Sequence, residues 1–226
     1  MKEKYKLWVF IWTIGLLAWL VFLILKITGR VKIRGYEKRK VRPGASGLIL
    51  IANHPSLWEP AILPFLFFPR CLFSQKLLPI SVVDKNDYYN KIWFSPFRMA
   101  CLPVERGNAR EELKAMDAMI EILNQGRILI LYPEGGRTSK GEEFKFSCSG
   151  RKIRRFKKGL RRLFLNSHAV IWPVWTEGGD KVMPRFSFPH IWAETVIKPG
   201  EPFKPEARKS EILEVLEGVL LELGDR

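Results

Sequence analysis

The stretch GLILIANHPSLWE, residues 47–59, decides the fold and marks a candidate site. Its first part, GLILIA (47–52), is an unbroken apolar run of the kind that forms a buried strand. Its second part places His54 and Glu59 five positions apart, just past the end of that strand. The carboxylate can hold one ring nitrogen as N–H while the other faces a substrate hydroxyl, so the pair is a candidate general base with its orienting acid. A single His-x4-Glu also arises often by chance, which leaves a structural role open.

Strands and helices are predicted to alternate on the C-terminal side of this stretch. Further strands are expected at 80–83, 99–104, 127–132 and 169–175. Helices are expected over the apolar, proline-broken stretch 60–68, from Asn108 to Gly126 and from Ser210 onward. Asn108 is a predicted N-cap, with Glu111 completing a capping box. Residues 29–44 are expected to form a short basic linker. The pattern predicts an α/β fold with a mixed, mostly parallel sheet flanked by helices.

Composition favours one ordered domain with a basic surface. The 226 residues are 47% hydrophobic, which excludes a disordered chain. Lys and Arg number 38 against 23 Asp and Glu, a net charge of +15, and there are eight Trp. Such a balance is typical of a nucleic-acid binder or of a protein seated on an anionic membrane.

The N-terminus favours the membrane. Residues 7–25 (LWVFIWTIGLLAWLVFLIL) carry no charge and are long enough to cross a bilayer core of about 30 Å. A signal peptide is the competing interpretation, but residues 27–30 offer no small-x-small cleavage site. Lys and Arg flank the segment on both sides, so the orientation stays open, as does the choice between a span and a helix dipping into one leaflet. We therefore expect a membrane anchor over 1–30 and one α/β domain over 31–226.

The three cysteines, Cys71, Cys101 and Cys148, are scattered and match no metal-ligand spacing. Structural thiols in a reducing compartment are the simplest interpretation, which places the bulk of the chain on the cytoplasmic side. No metal and no bound cofactor is implied by the spacing of candidate ligands.

Polar clusters follow several of the predicted strands, where the ligands of α/β sheets bind. Glu105 and Arg106 follow the strand ending at residue 104, and the segment 133–137 (PEGGR) follows the strand ending at 132. The latter combines a glycine turn with an arginine that can bind phosphate in a bidentate manner. Each cluster also has an ordinary interpretation, a solvated turn or an ion pair of Arg106 with Glu105 or a neighbour.

Residues 151–162 (RKIRRFKKGLRR) carry eight basic residues and no acidic one. A solvated face is the usual role of such a run. Beside a membrane segment, contact with anionic headgroups or with an acidic partner is an equally good interpretation.

Taken in order, these motifs resemble those of the glycerolipid acyltransferases. The set is NHPS with Glu59, VERG (104–107), YPEGGR (132–137), FKKG (156–159) and WPV (172–174). Over about residues 48–184 the chain resembles the 1-acyl-glycerol-3-phosphate acyltransferases of the bacterial PlsC type. The resemblance implies an acyltransferase domain over 31–226 with a catalytic dyad of His54 and Glu59.

The same resemblance implies a substrate-binding set at the acceptor's phosphate, which comprises Arg106, Glu134, Gly135, Gly136 and Arg137. Pro173 corresponds to the proline of the last motif, which is linked to donor or acyl-chain binding. Two residues depart from the family pattern: Glu59 stands where Asp is usual, and Gly136 replaces the threonine of Glu-Gly-Thr-Arg. The His-x4-Glu form is also similar to the late acyltransferases of lipid A synthesis, so the acceptor stays open.

The implied reaction is acyl transfer from acyl-CoA or acyl carrier protein to lysophosphatidic acid, which gives phosphatidic acid in phospholipid biosynthesis. A thiolate is a good leaving group, so no covalent enzyme intermediate is required and Ser56 is interpreted as a cap or loop residue. An esterase with Ser56 as nucleophile is an alternative that lacks a Gly-x-Ser-x-Gly motif. A basic membrane protein that binds lipid or nucleic acid without catalysis is another; we expect no nucleic-acid partner. Acyl-chain length and oligomeric state stay open.

Overall fold

A mostly parallel sheet forms the centre of the computed structural model, which describes residues 2–35, 47–184, 190, 192–205 and 211–226. In chain order the strands are β1 (Val31–Ile33), β2 (Leu48–Ala52), β3 (Ile80–Asp84), β4 (Cys101–Val104), β5 (Ile128–Leu131), β6 (Phe144–Phe146), β7 (Lys152–Arg154), β8 (Val170–Glu177) and β9 (Thr195–Pro199). Strands β6 and β7 form a hairpin, and the others form one sheet in the order β1-β9-β8-β2-β5-β3-β4. Only the β8–β9 pairing in this described sheet is antiparallel. The predicted mixed, mostly parallel α/β fold is confirmed.

Helices cover both faces of this sheet. They are α1 (Lys2–Phe10), α2 (Leu16–Ile27), α3 (Glu59–Ile62), α4 (Ala109–Asn124), α5 (Leu160–Asn166), α6 (Gly179–Val182) and α7 (Ile212–Asp225). Ile49 and Ile51 of β2 face the layer formed by α4, α5 and α7, whereas Leu48 and Leu50 face the layer of the N-terminal helix and α3. Because side chains alternate between two buried faces, β2 and β5 read as unbroken apolar runs.

The N-terminal helix is continuous from Tyr5 to Ile27, with a π-helical turn (Ile11–Gly15) between α1 and α2. The described residues contain one helix long and apolar enough to cross a membrane, a criterion that a core helix or a signal sequence can also meet. One face, which includes Phe10 and Phe22, is buried in the core beneath the sheet, while Leu17 and Ile24 are 66% and 58% exposed. This helix shares a core with the sheet. The predicted domain boundary at residue 30 remains a prediction.

All of the predicted strands occur, with ends shifted by at most two residues. The expected linker over 29–44 is wrong in part, since β1 lies within it; residues 36–46 lie outside the described residues. β1 has three residues and depends on its parallel pairing with β9, in which Val31 lies opposite Thr195. Neither β9 nor the β6–β7 hairpin was predicted, because strands this short carry little periodicity of their own.

The helix expected over 60–68 is wrong as a single element. It is the four-residue α3 followed by a 3-10 segment, Leu63–Phe67, and each begins with a proline near its first position. Pro60 and Pro64 lack the N–H that a longer α-helix would need. The helix expected from Ser210 begins at Ile212 in the structure, and Ser210 itself lies outside the described residues.

The predicted N-cap of α4 is confirmed, because the Asn108 side chain accepts a hydrogen bond from the Glu111 N–H at 3.3 Å. The reciprocal contact of a capping box differs from the prediction. The Glu111 carboxylate binds Lys114 at 2.6 Å, and Glu112 instead accepts from the Gly107 N–H at 3.0 Å. The glutamate one residue further on thus stabilises the backbone before the helix.

Candidate active site

Polar residues gather at the carboxyl ends of four neighbouring parallel strands, β2, β5, β3 and β4. His54 follows β2, Arg106 follows β4, and the segment 132–137 follows β5. A cavity of about 1310 Å³ opens there, and His54, Arg106, Gly135 and Gly136 all line it. The structure therefore brings these predicted site residues to one place, as expected for the crevice outside the strand ends of an α/β sheet.

The predicted dyad residues are adjacent. His54 Nδ1 lies 3.5 Å from Glu59 Oε2, an ion-pair distance without a hydrogen bond between the two atoms. The His54 side chain is 13% exposed and borders the cavity, whereas Glu59 is fully buried behind it. Catalytic hydrogen bonds are often long before substrate binds, so this spacing is compatible with a base and its orienting carboxylate.

Glu59 is held from several directions. The Ser56 N–H donates to Oε2 at 2.9 Å, and the Ser56 hydroxyl donates to Oε1 at 3.0 Å. Gly179, at the start of α6, lies directly behind: a Cβ there would be 1.9 Å from Glu59 Oε1. The Ser56 hydroxyl, itself buried, also accepts from the Trp58 N–H at 2.9 Å. Ser56 thus positions Glu59, in agreement with its interpretation as a loop residue.

Two neighbours fix the position of His54. Asn53 joins the end of β2 to β8, because its Nδ2 donates to the Thr176 carbonyl at 2.9 Å and its Oδ1 accepts from the Thr176 N–H at 2.7 Å. The Tyr132 ring stacks on the imidazole, with centroids 4.4 Å apart and planes inclined by 27°. The Tyr132 hydroxyl is buried and has no hydrogen-bond partner among the described residues. Burial, with a smaller contribution from the charge of Glu59, raises the pKa of Tyr132 well above its ordinary value.

Glu134 is fully buried and joins three segments of the chain. Its Oε1 accepts from the His54 N–H at 2.8 Å and from the Thr138 hydroxyl at 2.9 Å, and its Oε2 accepts from the Arg154 N–H at 2.9 Å. Burial raises the pKa of Glu134, and these donors partly oppose the rise. Glu134 is not among the described residues that line the cavity. Its direct contact with a phosphate therefore remains a prediction.

The two predicted arginines differ in position. Arg106 lines the cavity, is 52% exposed, and its Nε lies 3.2 Å from Asp84 Oδ2. Its alternative partner Glu105 instead binds Lys85 at 2.6 Å. Arg137 is half-buried, and the described lining of the cavity does not include it. It lies near enough to Tyr88 for its charge to lower the pKa of that phenol, which burial raises. The role of Arg137 at the substrate remains a prediction.

Residues of the basic run that were not predicted as site residues also reach the cavity. Arg154 and Lys157 line it beside the Gly135-Gly136 turn. The basic run and the FKKG motif were the sequence signals for these two residues, but neither signal shows which of the eight basic side chains reach the cavity. Pro173, implied by the resemblance, lies within β8 opposite Ile51 of β2.

The rest of the cavity is apolar. Its wall combines the inner face of the N-terminal helix with aromatic side chains of two 3-10 segments, including Phe65, Trp93 and Phe97. A basic mouth with a histidine thus opens into an apolar space, an arrangement that suits an amphipathic ligand.

The chain is an acyltransferase: the Acyltransferase family model matches residues 30–177, and the chain belongs to that family. It is distantly related to a probable 1-acyl-sn-glycerol-3-phosphate acyltransferase of Mycoplasma pneumoniae, at 26% identity over 128 residues. The match covers 56% of this chain and 43% of that relative's length. The fold is similar to the crystal structure of the 1-acyl-sn-glycerophosphate acyltransferase PlsC from Thermotoga maritima. That comparison has a TM-score of 0.57 and 20% identity, and covers 88% of this chain and 74% of the other.

Proposed function

We propose that the protein transfers an acyl chain from acyl-CoA or acyl carrier protein to the free hydroxyl of lysophosphatidic acid, giving phosphatidic acid. The observation that carries this proposal is the His54–Glu59 pair at the junction of a basic mouth and an apolar cavity. Lysophosphatidic acid has the same division into a phosphate and a hydrocarbon chain. The distant PlsC-type relatives support the same acceptor.

In the proposed mechanism His54 acts as the general base. The ring nitrogen opposite Glu59, Nε2, accepts the proton of the acceptor hydroxyl as its oxygen bonds to the thioester carbon. The carbon–sulfur bond then breaks, and the imidazolium returns the proton to the departing thiolate. Glu59 stabilises the imidazolium and fixes the tautomer, while stacking on Tyr132 holds the plane of the ring.

The proposal places the enzyme at a membrane. Exposed apolar side chains of the N-terminal helix that lie outside the cavity lining, such as Ile24, would lie in the lipid, and those that line the cavity, such as Phe22, would form the wall along which acyl chains lie. The anchor over 1–30 and the acyltransferase domain over 31–226 would then act as one unit, with the catalytic domain on the cytoplasmic face.

The test is release of thiol from acyl-CoA by the detergent-solubilised protein in the presence of lysophosphatidate. His54→Ala should lower kcat/KM by about a hundredfold or more, because a general base is lost. His168→Asn is the matched control, since His168 is exposed and sits at φ 49°, a conformation that Asn tolerates. No turnover by the wild type with any donor and acceptor, or full activity of His54→Ala, would overturn the proposal.

A panel of lysophosphatidate, other lysophospholipids and lipid A precursors with a labelled donor decides between acceptors. The panel matters because Glu59 and Gly136 depart from the usual motifs. The esterase alternative has less support, since the Ser56 hydroxyl bonds to Glu59 rather than to His54. Labelling of Ser56 by a fluorophosphonate would revive it.

A further inference from the structure

The side chain of Arg154 lies across two glycines on its way to the cavity. A Cβ on Gly141 would approach its Nε to 2.2 Å and its Cδ to 2.5 Å, and a Cβ on Gly136 would approach its Nη1 to 2.9 Å. Real Cβ atoms make almost no contacts this short. A side chain at either of these two positions would therefore require the Arg154 side chain to shift.

Backbone conformation does not explain the glycine at position 136. Position 135 has a φ of +68°, a conformation that itself favours glycine. Gly136, in contrast, is not among the described glycines with positive φ. The φ angle at position 136 therefore does not itself require glycine in place of the usual family residue, threonine. What the glycine provides is space for the Arg154 guanidinium, so the departure from the family motif has a consequence for the site.

The charges at this point are unbalanced. Nη1 of Arg154 and Nη1 of Arg106 lie 2.9 and 3.8 Å from the position of a Cβ on Gly136, so both guanidiniums flank the same spot. Arg106 pairs with Asp84, whereas no carboxylate among the described residues pairs with the half-buried Arg154 side chain. Because Asp84 pairs with only one of these two guanidiniums, the Arg154 guanidinium can bind an anion here.

Arg154 is connected to the proposed base, His54, through the Glu134 carboxylate. The Arg154 N–H and the His54 N–H donate to the two oxygens of one carboxylate, that of Glu134. Both side chains line the same cavity. An anion held by Arg154 would therefore occupy a defined place relative to the reacting hydroxyl.

We propose that Arg154 is an additional phosphate-binding residue, which joins Arg106, already predicted at the acceptor's phosphate, in binding a phosphate group of a substrate, and that Gly136 is the specificity-determining residue that admits Arg154. The inference rests on the proposed acyl transfer and deepens it. The phosphate belongs either to the acceptor or to coenzyme A, and the experiment separates these sources. Arg137, the arginine of the family motif, is not among the described residues that line this cavity.

The test compares Arg154→Gln and Gly136→Thr with two controls. Arg161→Gln removes the same charge from an exposed position on α5, and Gly218→Ala adds a Cβ in α7 where nothing lies within 4 Å. KM and kcat are measured for lysophosphatidate, for monoacylglycerol and for acyl-CoA. Equilibrium binding of lysophosphatidate and of coenzyme A to the full chain gives a readout that needs no turnover.

Loss of a charge-assisted hydrogen bond predicts about a tenfold rise in KM and in Kd for one phosphate-bearing substrate in Arg154→Gln. Monoacylglycerol should be unaffected, and Arg154→Lys should restore part of the loss. Gly136→Thr should act through the same side chain, so the double variant should be no worse than Arg154→Gln alone.

A selective effect on lysophosphatidate identifies the acceptor as the source of the phosphate, and one on coenzyme A identifies the donor. Unchanged binding of both, or equal losses with monoacylglycerol and in the controls, overturns the inference. Absence of all acyl transfer by the wild type would instead count against the proposed function, while the binding measurements would still decide the role of Arg154.

Discussion

At the scale of single residues, the site depends on how closely Glu59 is enclosed. Its carboxylate is buried, accepts from Ser56, and has the bare backbone of Gly179 behind it. Glutamate has one more methylene than the aspartate usual in the family. The absence of a side chain at Gly179 is what accommodates the carboxylate in this position.

Gly179→Ala is therefore expected to push Glu59 away from His54. The added Cβ would fall 1.9 Å from Oε1, and misplacement by about 1 Å costs on the order of a hundredfold in rate. We expect kcat to fall by that order while KM changes little, measured by thiol release. Gly218→Ala serves as the control, and an unchanged kcat in Gly179→Ala would contradict this account of Glu59.

At the scale of elements, Glu134 joins the loop after β2, the turn after β5 and the end of β7. Glu134→Gln should destabilise the protein by about 1–3 kcal/mol. Both carboxylate oxygens accept hydrogen bonds, so the NH2 group of the glutamine would face a donor and that hydrogen bond would be lost. The measurement is thermal unfolding in detergent, with the exposed Glu142→Gln as control.

The pH dependence of this effect has a definite sign. Because burial raises the pKa of Glu134 in the folded protein, its stabilising contribution is complete below its unfolded value of about 4.5. The contribution declines as the pH rises through the raised pKa. The difference between wild type and Glu134→Gln should thus be larger near pH 4.5 than near pH 8; the opposite trend would show that Glu134 is not held in this buried state.

At the scale of the whole molecule, the proposed membrane position predicts which tryptophans meet lipid. Trp12 is 48% exposed on the N-terminal helix, whereas Trp172 is 1% exposed in the core. In vesicles of brominated lipid, Trp12→Phe should lower the quenchable fraction of the fluorescence and Trp172→Phe should raise it. A wild-type protein whose emission brominated lipid does not quench would contradict the placement of this helix in a membrane.

Much of the fold could be predicted because its central strands are strongly apolar. β2 and β5 are buried on both faces, so their runs stand out in the sequence, and the cap of α4 has a local signal in Asn108. β1 and β9 could not be predicted. They are short and owe their existence to pairing with each other and with β8, contacts that no local pattern records.

The candidate site, like the fold, could be predicted only in part. The positions of His54, Arg106 and the 132–137 turn follow from the ends of the strands, and the sequence by itself determined that they meet at one edge of the sheet. Only the tertiary structure decided which side chains face the cavity. Glu134 bonds to backbone, Arg154 turns inward across Gly136, and the N-terminal helix forms a wall, because each depends on contacts between segments distant in the chain.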